Sequence, residues 1–239
     1  MPLILGIETA TEVCSVSLLQ DGKMISYKES AGNNEHSRLL TPFIDEVLTV
    51  AGIKPDKLDA VAVSMGPGSY TGLRIGVSAA KGLCYALDKP LIAVGTLQAM
   101  AAQVMAKLKN EINDEMALLC PMIDARRMEV YHAVYNQDLN EIKPVEAAII
   151  GTDFLAKETT NHQLILFGNG AAKCRDILSF RNNIVFLDNM GASANSVALL
   201  AEKKFFEHEF VDTAYFEPFY LKDFIAAKPR VKGLYSNNG

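Results

Sequence analysis

The sequence predicts an α/β protein made twice from one plan. Three observations carry this: short apolar runs alternate with amphipathic helical segments along the whole chain, the order β-β-β-α-β-α occurs twice in succession, and an unbroken strand–glycine turn–helix run lies between Asp59 and Gly76. Two such units imply two mixed sheets. In each, the first three strands form an antiparallel meander and the later strands join in parallel. The expected division is 1–109 and 116–239, parted by a polar break from Asn110 to Glu115.

In the first half, Leu3 to Thr9 reads as a strand and Cys14 to Leu18 alternates as a second. Asp21-Gly22 is a strong hairpin turn leading to a third strand from Met24 to Lys28. His36 to Ala51 carries Leu40, Phe43, Ile44, Val47, Leu48 and Ala51 at helical spacing, and Gly52 stops it. Asp59 to Met65 follows as a buried strand, broken by Gly66-Pro67-Gly68. Ser69 then caps a helix on which Leu73, Val77, Ala80, Cys84 and Leu87 recur, and a further helix starts at Thr96. In the second half, strands are expected at Ala117 to Ala125, Met128 to Tyr135 and, irregularly, Ile142 to Ile150. A short helix at Thr152 to Lys157, a strand at Gln163 to Phe167 and a helix at Gly170 to Leu178 come next. The half closes with a strand at Ile184 to Leu187 and a helix from Ser193 to about Phe206.

The turn at Gly66 to Ser69 has two readings. A strand that turns on glycines into a helix leaves backbone N–H groups and the positive end of the helix dipole facing outward, which suits a phosphate. Yet Gly66, Gly68 and Gly72 match neither G-x-G-x-x-G nor a Walker loop. The other reading is that the glycines let the helix lie close to a neighbour. Gly72, Gly76, Ala79 and Ala80 keep one side small, as a docking face for another helix would require.

Composition bounds the function. In 239 residues, 49% are hydrophobic and 21% charged, as in an ordinary globular protein. A net charge of −5 argues against a surface that grips nucleic acid throughout. A basic tail with Lys222, Lys228, Arg230 and Lys232 is the exception, and reads as a solvated end. Cys14, Cys84, Cys120 and Cys174 are far apart, with no C-x-x-C pair, and read as small buried hydrophobes in a reducing cytoplasm. No leader or membrane-length apolar run is visible. His36, His132, His162 and His208 are too widely spaced for two to share a helix face, so no metal site is expected. His132, alternating with Val130 and Val134, reads as a buried strand histidine.

Two halves of this plan resemble the ribonuclease-H-like (ASKHA, actin-like ATPase) superfamily, which implies nucleotide-gripping hairpins at Gly6 to Thr11 and Ile123 to Arg126 and a glycine turn at Gly168 to Ala171. The superfamily's D-x-G is here Glu8-Thr9-Ala10 and Asp124-Ala125-Arg126, which argues against ATP hydrolysis by this chain alone. Gly6-Ile-Glu-Thr-Ala-Thr11, Glu35-His-Ser-Arg-Leu-Leu40, Ser64 to Gly76, Lys81-Gly82-Leu83 and Met122-Ile-Asp-Ala-Arg-Arg127 are more specific, and resemble the TsaB (YeaZ) family over nearly the whole chain.

That resemblance implies a non-catalytic role in making N6-threonylcarbamoyladenosine at position 37 of tRNAs that read ANN codons. It implies pairing with a TsaD-type transferase and a TsaE-type ATPase, contact with tRNA through the complex, and a homodimer when the transferase is missing. No cofactor of its own is expected, and ATP or ADP would sit at a partner interface. The interface is placed on the two helices of the first half, at Leu39, Phe43, Gly72, Ile75, Gly76 and Ala79, with Phe43 and Ile75 equally readable as core. Glu8, Thr9, Glu12, Gly66, Gly68, Ser69, Asp124, Arg126 and Arg127 are the candidates for cleft or nucleotide contacts, with an Asp124–Arg127 ion pair as the structural alternative. Two competing functions are a stand-alone ASKHA-type kinase or ATPase and a peptidase. The absence of G-x-S-x-G and H-E-x-x-H speaks against the second.

Overall fold

The computed structural model describes residues 1–31, 35–108, 112 and 116–222. Most of the basic tail and most of the expected break at Asn110 to Glu115 lie outside the described residues.

The first sheet holds β1 (Leu3–Glu8), β2 (Val13–Gln20), β3 (Lys23–Ala31), β4 (Ala60–Gly66) and β5 (Leu91–Gly95) in the order β3-β2-β1-β4-β5. The second holds β6 (Leu118–Asp124), β7 (Glu129–Tyr135), β8 (Glu141–Ile149), β9 (Leu164–Phe167) and β10 (Ile184–Leu187) in the order β10-β9-β6-β7-β8. Read from the meander side, the two orders are the same. In each sheet the three meander strands pair antiparallel and the last two join in parallel. This is the duplicated ribonuclease-H-like arrangement expected from the sequence.

Local chemistry accounts for the main boundaries. Asp21 and Gly22, both at positive φ (55° and 67°), make the tight turn that matches the strand twist of β2 and β3. Helix α1 (His36–Ala51) ends on Gly52 in the left-handed conformation, and helix α2 (Tyr70–Leu87) begins with Ser69 Oγ accepting from the Gly72 N–H at 3.2 Å.

Three expectations need correction. Leu91–Gly95, unassigned from sequence, is the fifth strand of the first sheet. Residues 152–161 form consecutive turns with no helix at Thr152 to Lys157, and the expected helix at Gly170 to Leu178 contracts to one 3-10 turn and α4 (Arg175–Leu178). The irregular strand expected at Ile142 to Ile150 lies largely in β8, and its pairing with β7 carries register shifts around Val134.

Helix α3 (Thr96–Leu108) ends the first half, and α5 (Ala194–Phe206) ends the described helices of the second. Each packs on the other half's sheet. Leu97, Met100, Val104 and Met105 of α3 share a core with Leu119, Ile123, Ile165 and Phe167 of the second sheet. Val197, Ala198 and Ala201 of α5 share one with Ile4, Ala60, Ala62, Ile92 and Val94 of the first. The other face of the first sheet is covered by α1 and α2, through Leu40, Phe43, Ile44, Val47, Val77, Ala80 and Cys84. All four cysteines are buried and unpaired, and burial pushes the thiols of Cys14, Cys84 and Cys174 up to about 11.

Helix α5 reaches β1 closely at Gly6. A β-carbon there would stand 2.5 Å from Ala194 O and 2.9 Å from the Ala198 Cβ, so backbone as well as side chain would have to move. Gly6→Ala is therefore expected to lower stability by about 1–3 kcal/mol, as overpacking does. Urea denaturation followed by circular dichroism measures this; an unchanged midpoint would show that α5 shifts at no cost.

Candidate functional site

The carboxyl ends of β1 and β4 and the start of α2 meet at one place. Gly68, Gly72 and Gly76 face it: a β-carbon at Gly68 would strike Ala10 O, one at Gly72 would strike Thr9 O, and one at Gly76 would strike Thr9 Oγ1. The Ser69 N–H donates to Ala10 O at 2.6 Å, and the Gly72 N–H is held by the cap. Gly66, at φ 113°, is covered from the other side: the Phe219 N–H donates to Met65 O at 2.7 Å, and Phe219 O would lie 2.6 Å from a β-carbon at position 66. The turn that reads as a phosphate cradle is thus filled by the chain itself. Its glycines serve close packing.

Gly72 and Gly76 therefore do not belong to an outward docking face, because they are buried against the end of β1. A large side chain at position 76 would pry α2 from its own strand before it could hold two chains apart. Phe43 is also core, 7% exposed beneath the Lys28 ammonium, which stands 5.8 Å from its ring centroid. Leu39, Ile75 and Ala79 are half-buried and pack against the core edge. Ile75 and Ala79 also line an open groove of about 570 Å³ between α1 and α2, together with Leu40, Thr41, Tyr70 and Arg74.

Arg74, which lies in the Ser64 to Gly76 motif but is not among the expected site residues, carries the groove's one charge among its lining residues. Its guanidinium carbon stands 4.2 Å from the Tyr70 ring centroid, and its Nε donates to the Tyr220 hydroxyl at 3.1 Å.

The expected cleft residues separate into two sets. Glu8 and Thr9 are fully buried and do not reach a cleft. Glu12, Asp124, Arg126 and Arg127 are exposed and cluster where the halves meet. Asn169, in the turn after β9, donates from Nδ2 to Glu12 Oε2 at 2.7 Å and accepts the Asp124 N–H at 2.9 Å on Oδ1, joining the first hairpin to the second half. The alternative Asp124–Arg127 pair is not formed. Asp124 instead pairs with Lys173 at 2.5 Å, and Lys173 also donates to the carbonyls of Arg127 and Glu129. Arg126 and Arg127 hold the hairpin tip at φ 72° and 49°, a conformation costly for residues with a β-carbon.

His36 donates from Nε2 to Thr11 O at 2.9 Å and so ties α1 to the first hairpin. His132 is buried edge-on against Phe154, and burial lowers its pKa to about 4, so the ring is neutral at physiological pH. Among the described residues no three His, Cys, Asp or Glu side chains converge as a metal site.

Glu8 is the unusual titrating group. One carboxyl oxygen accepts the Ala10 N–H at 2.5 Å; the other, and the nearby Ser64 Oγ, have no hydrogen bond of good geometry. Burial raises its pKa from 4.5 to about 7, only partly offset by the Ala10 N–H and by the proximity of the Ser64 hydroxyl. Below pH 4.5 folded and unfolded chains both hold the proton, so burial of the neutral acid costs little. As pH rises toward 7 the unfolded chain ionises first, and above 7 the folded chain carries a buried charge. Stability attributable to Glu8 therefore falls between these limits. Glu8→Gln is expected to match the parent chain near pH 4.5 and to exceed it by on the order of 3 kcal/mol at pH 8. Denaturation midpoints of the two proteins across that range test this; parallel curves would mean that the carboxyl is satisfied in the folded protein.

The sequence profile of the family described as "TsaD: tRNA N6-adenosine threonylcarbamoyltransferase" matches residues 29–229. The tRNA threonylcarbamoyladenosine biosynthesis protein TsaB of Escherichia coli is 32% identical over 231 residues, covering 94% of this chain and 96% of the relative. The solved structure of YeaZ from Pseudomonas aeruginosa superposes with a TM-score of 0.78 at 26% identity, covering 92% of this chain and 100% of that one. The activator of 2-hydroxyisocaproyl-CoA dehydratase from Clostridium difficile, with bound ADPNP, shares the fold alone: TM-score 0.50, 11% identity, 87% of this chain and 97% of that one.

Proposed function

The chain belongs to the TsaB (YeaZ) branch of the TsaD family and so to tRNA threonylcarbamoyladenosine biosynthesis, and from that premise we propose that it is the non-catalytic partner of a TsaD-type transferase. One observation carries the reading: the strand–glycine turn–helix that reads as a phosphate cradle is occupied by Ala10 O and by residue 219, whereas the α1–α2 groove is open. A chain whose glycine turn is packed by its own residues, and whose outward helices carry an unfilled groove, is suited to bind a partner.

In this reading the groove takes helices of the transferase, burying Ile75 and Ala79. A second copy of the chain occupies the same face when the transferase is absent. A TsaE-type ATPase and tRNA join through the complex in the cytoplasm, and ATP or ADP is bound at the partner interface. The contribution to chemistry is positional: two sheets locked together by exchanged helices give the transferase a rigid surface to dock on.

Reconstitution tests this. Cognate transferase, ATPase, threonylcarbamoyl-adenylate synthase, ATP, threonine, bicarbonate and unmodified tRNA are expected to yield threonylcarbamoyladenosine, seen by mass spectrometry of digested tRNA, only when this chain is added. Equal product without it would reject the reading, and turnover of ATP by the isolated chain would favour a kinase or ATPase. Ala79→Arg, at the half-exposed groove wall, is expected to abolish co-purification with the transferase while leaving the circular dichroism spectrum unchanged.

A further inference from the structure

After α5 the chain returns across the first half as an extended strap, residues 211–222. Val211 N–H donates to Leu91 O at 2.9 Å, and Asp212 Oδ1 accepts from Ala214 and Tyr215 N–H at 2.7 and 3.0 Å, fixing a tight turn. Lys81 of α2 donates to Ala214 O and Phe216 O at 3.0 and 3.1 Å, and Val211 and Phe216 pack against the core under α1 and α2. Beyond the Phe219–Met65 bond, Lys222 pairs with Glu129 of the second half. A segment held by backbone, side-chain and apolar contacts at five places along its length is a fixed part of the surface.

No residue of the strap lines the groove, but Tyr220 touches two that do, Tyr70 and Arg74. The Tyr220 ring lies on Tyr70 at 4.9 Å between centroids, and its hydroxyl takes the Arg74 Nε–H. Arg74 thereby lies beside the paired rings, over Tyr70 at 4.2 Å from its centroid and 5.8 Å from that of Tyr220. The terminal nitrogens of its guanidinium have no hydrogen bond or ion pair among the described residues. Glu217, the acidic group whose field it feels, is not within ion-pair distance. A planar cation with its Nε occupied and its outer edge vacant presents a ready fork to a carboxylate.

We propose that the strap is the third element of the docking face: Tyr220 is a positioning residue that fixes Arg74 at the groove rim to receive a carboxylate from a helix of the partner. The occupant is a partner surface with an apolar ridge for Ile75 and Ala79 and an acidic side chain at the Arg74 end. This inference rests on the reading that the transferase occupies the α1–α2 groove.

The test is a double-mutant cycle on the affinity of the full chain for its cognate transferase, measured by calorimetry. Loss of a charge-assisted bidentate contact is expected to make Arg74→Ala about 10- to 100-fold weaker. Tyr220→Ala, which frees the guanidinium, is expected to lose about 10-fold, and Tyr220→Phe, which keeps the stack, about 3-fold or less. If Tyr220 acts through Arg74, the double Ala variant is no weaker than Arg74→Ala alone. Multiplying losses, or a Tyr220→Ala chain that binds like the parent while Ala79→Arg blocks pairing, would overturn the strap's role and leave the groove as interface. Undiminished pairing by Ala79→Arg would remove the groove reading and this inference with it. Thermal midpoints accompany each variant, and if Tyr220→Ala fails to fold, the comparison of Tyr220→Phe alone and combined with Arg74→Ala supplies the cycle.

Discussion

The position of α2 depends on the missing β-carbons at Gly68, Gly72 and Gly76, which let its first two turns rest on the backbone and side chain at the end of β1. A methyl group at any of the three would meet Ala10 O, Thr9 O or Thr9 Oγ1, so the helix would have to rise away from the sheet. Much follows from this contact. It aligns Ser69 to cap the helix and brings Ala10 O to the Ser69 N–H, so backbone donors that could have met an anion are used internally. It also sets the depth of α2 relative to α1, and hence the groove with Ile75 and Ala79 on its wall.

The polar tie between the halves has a different character. The Glu12–Asn169 hydrogen bond crosses between the halves, and the Asp124 N–H and the Asp124–Lys173 ion pair extend it within the second half; the side chains are exposed or partly exposed, where each such contact contributes little on its own. The exchanged helices carry the larger share of the association through apolar burial. Glu8 stands apart from both. A buried carboxyl with one oxygen unmatched lowers stability at neutral pH, and it sits where the superfamily has the Asp of its first D-x-G.

The sequence disclosed what short-range chemistry decides. Asp21-Gly22, Ser69 and Gly52 each have a side chain or a permitted backbone angle that specifies a turn or a cap, and each is found in that role. Strand β5 was not legible because five residues, Leu91–Gly95, lie between two helices with no room for alternation to appear. The glycine motif showed that something approaches α2 but not whether it is a ligand, a partner or the chain's own β1, since all three demand the same small residues. Helical periodicity likewise shows that α3 and α5 have apolar faces without showing which sheet each covers. Arg74 and Tyr220 are 146 positions apart, and neither sits in a pattern that announces the other.

The exchange of α3 and α5 also bears on the order in which the protein can be completed. Synthesis delivers β1 through β5 by residue 95, yet the helix that covers one face of their sheet ends only at Phe206. Until more than a hundred further residues have left the ribosome, Ile4, Ile92 and Val94 have no apolar cover from Val197, Ala198 and Ala201. The first sheet therefore lacks the apolar cover of α5 until that helix is made, so its native packing is not complete from the first half alone. A duplicated plan that looks modular in sequence is thus complete in its packing only when α5 is in place.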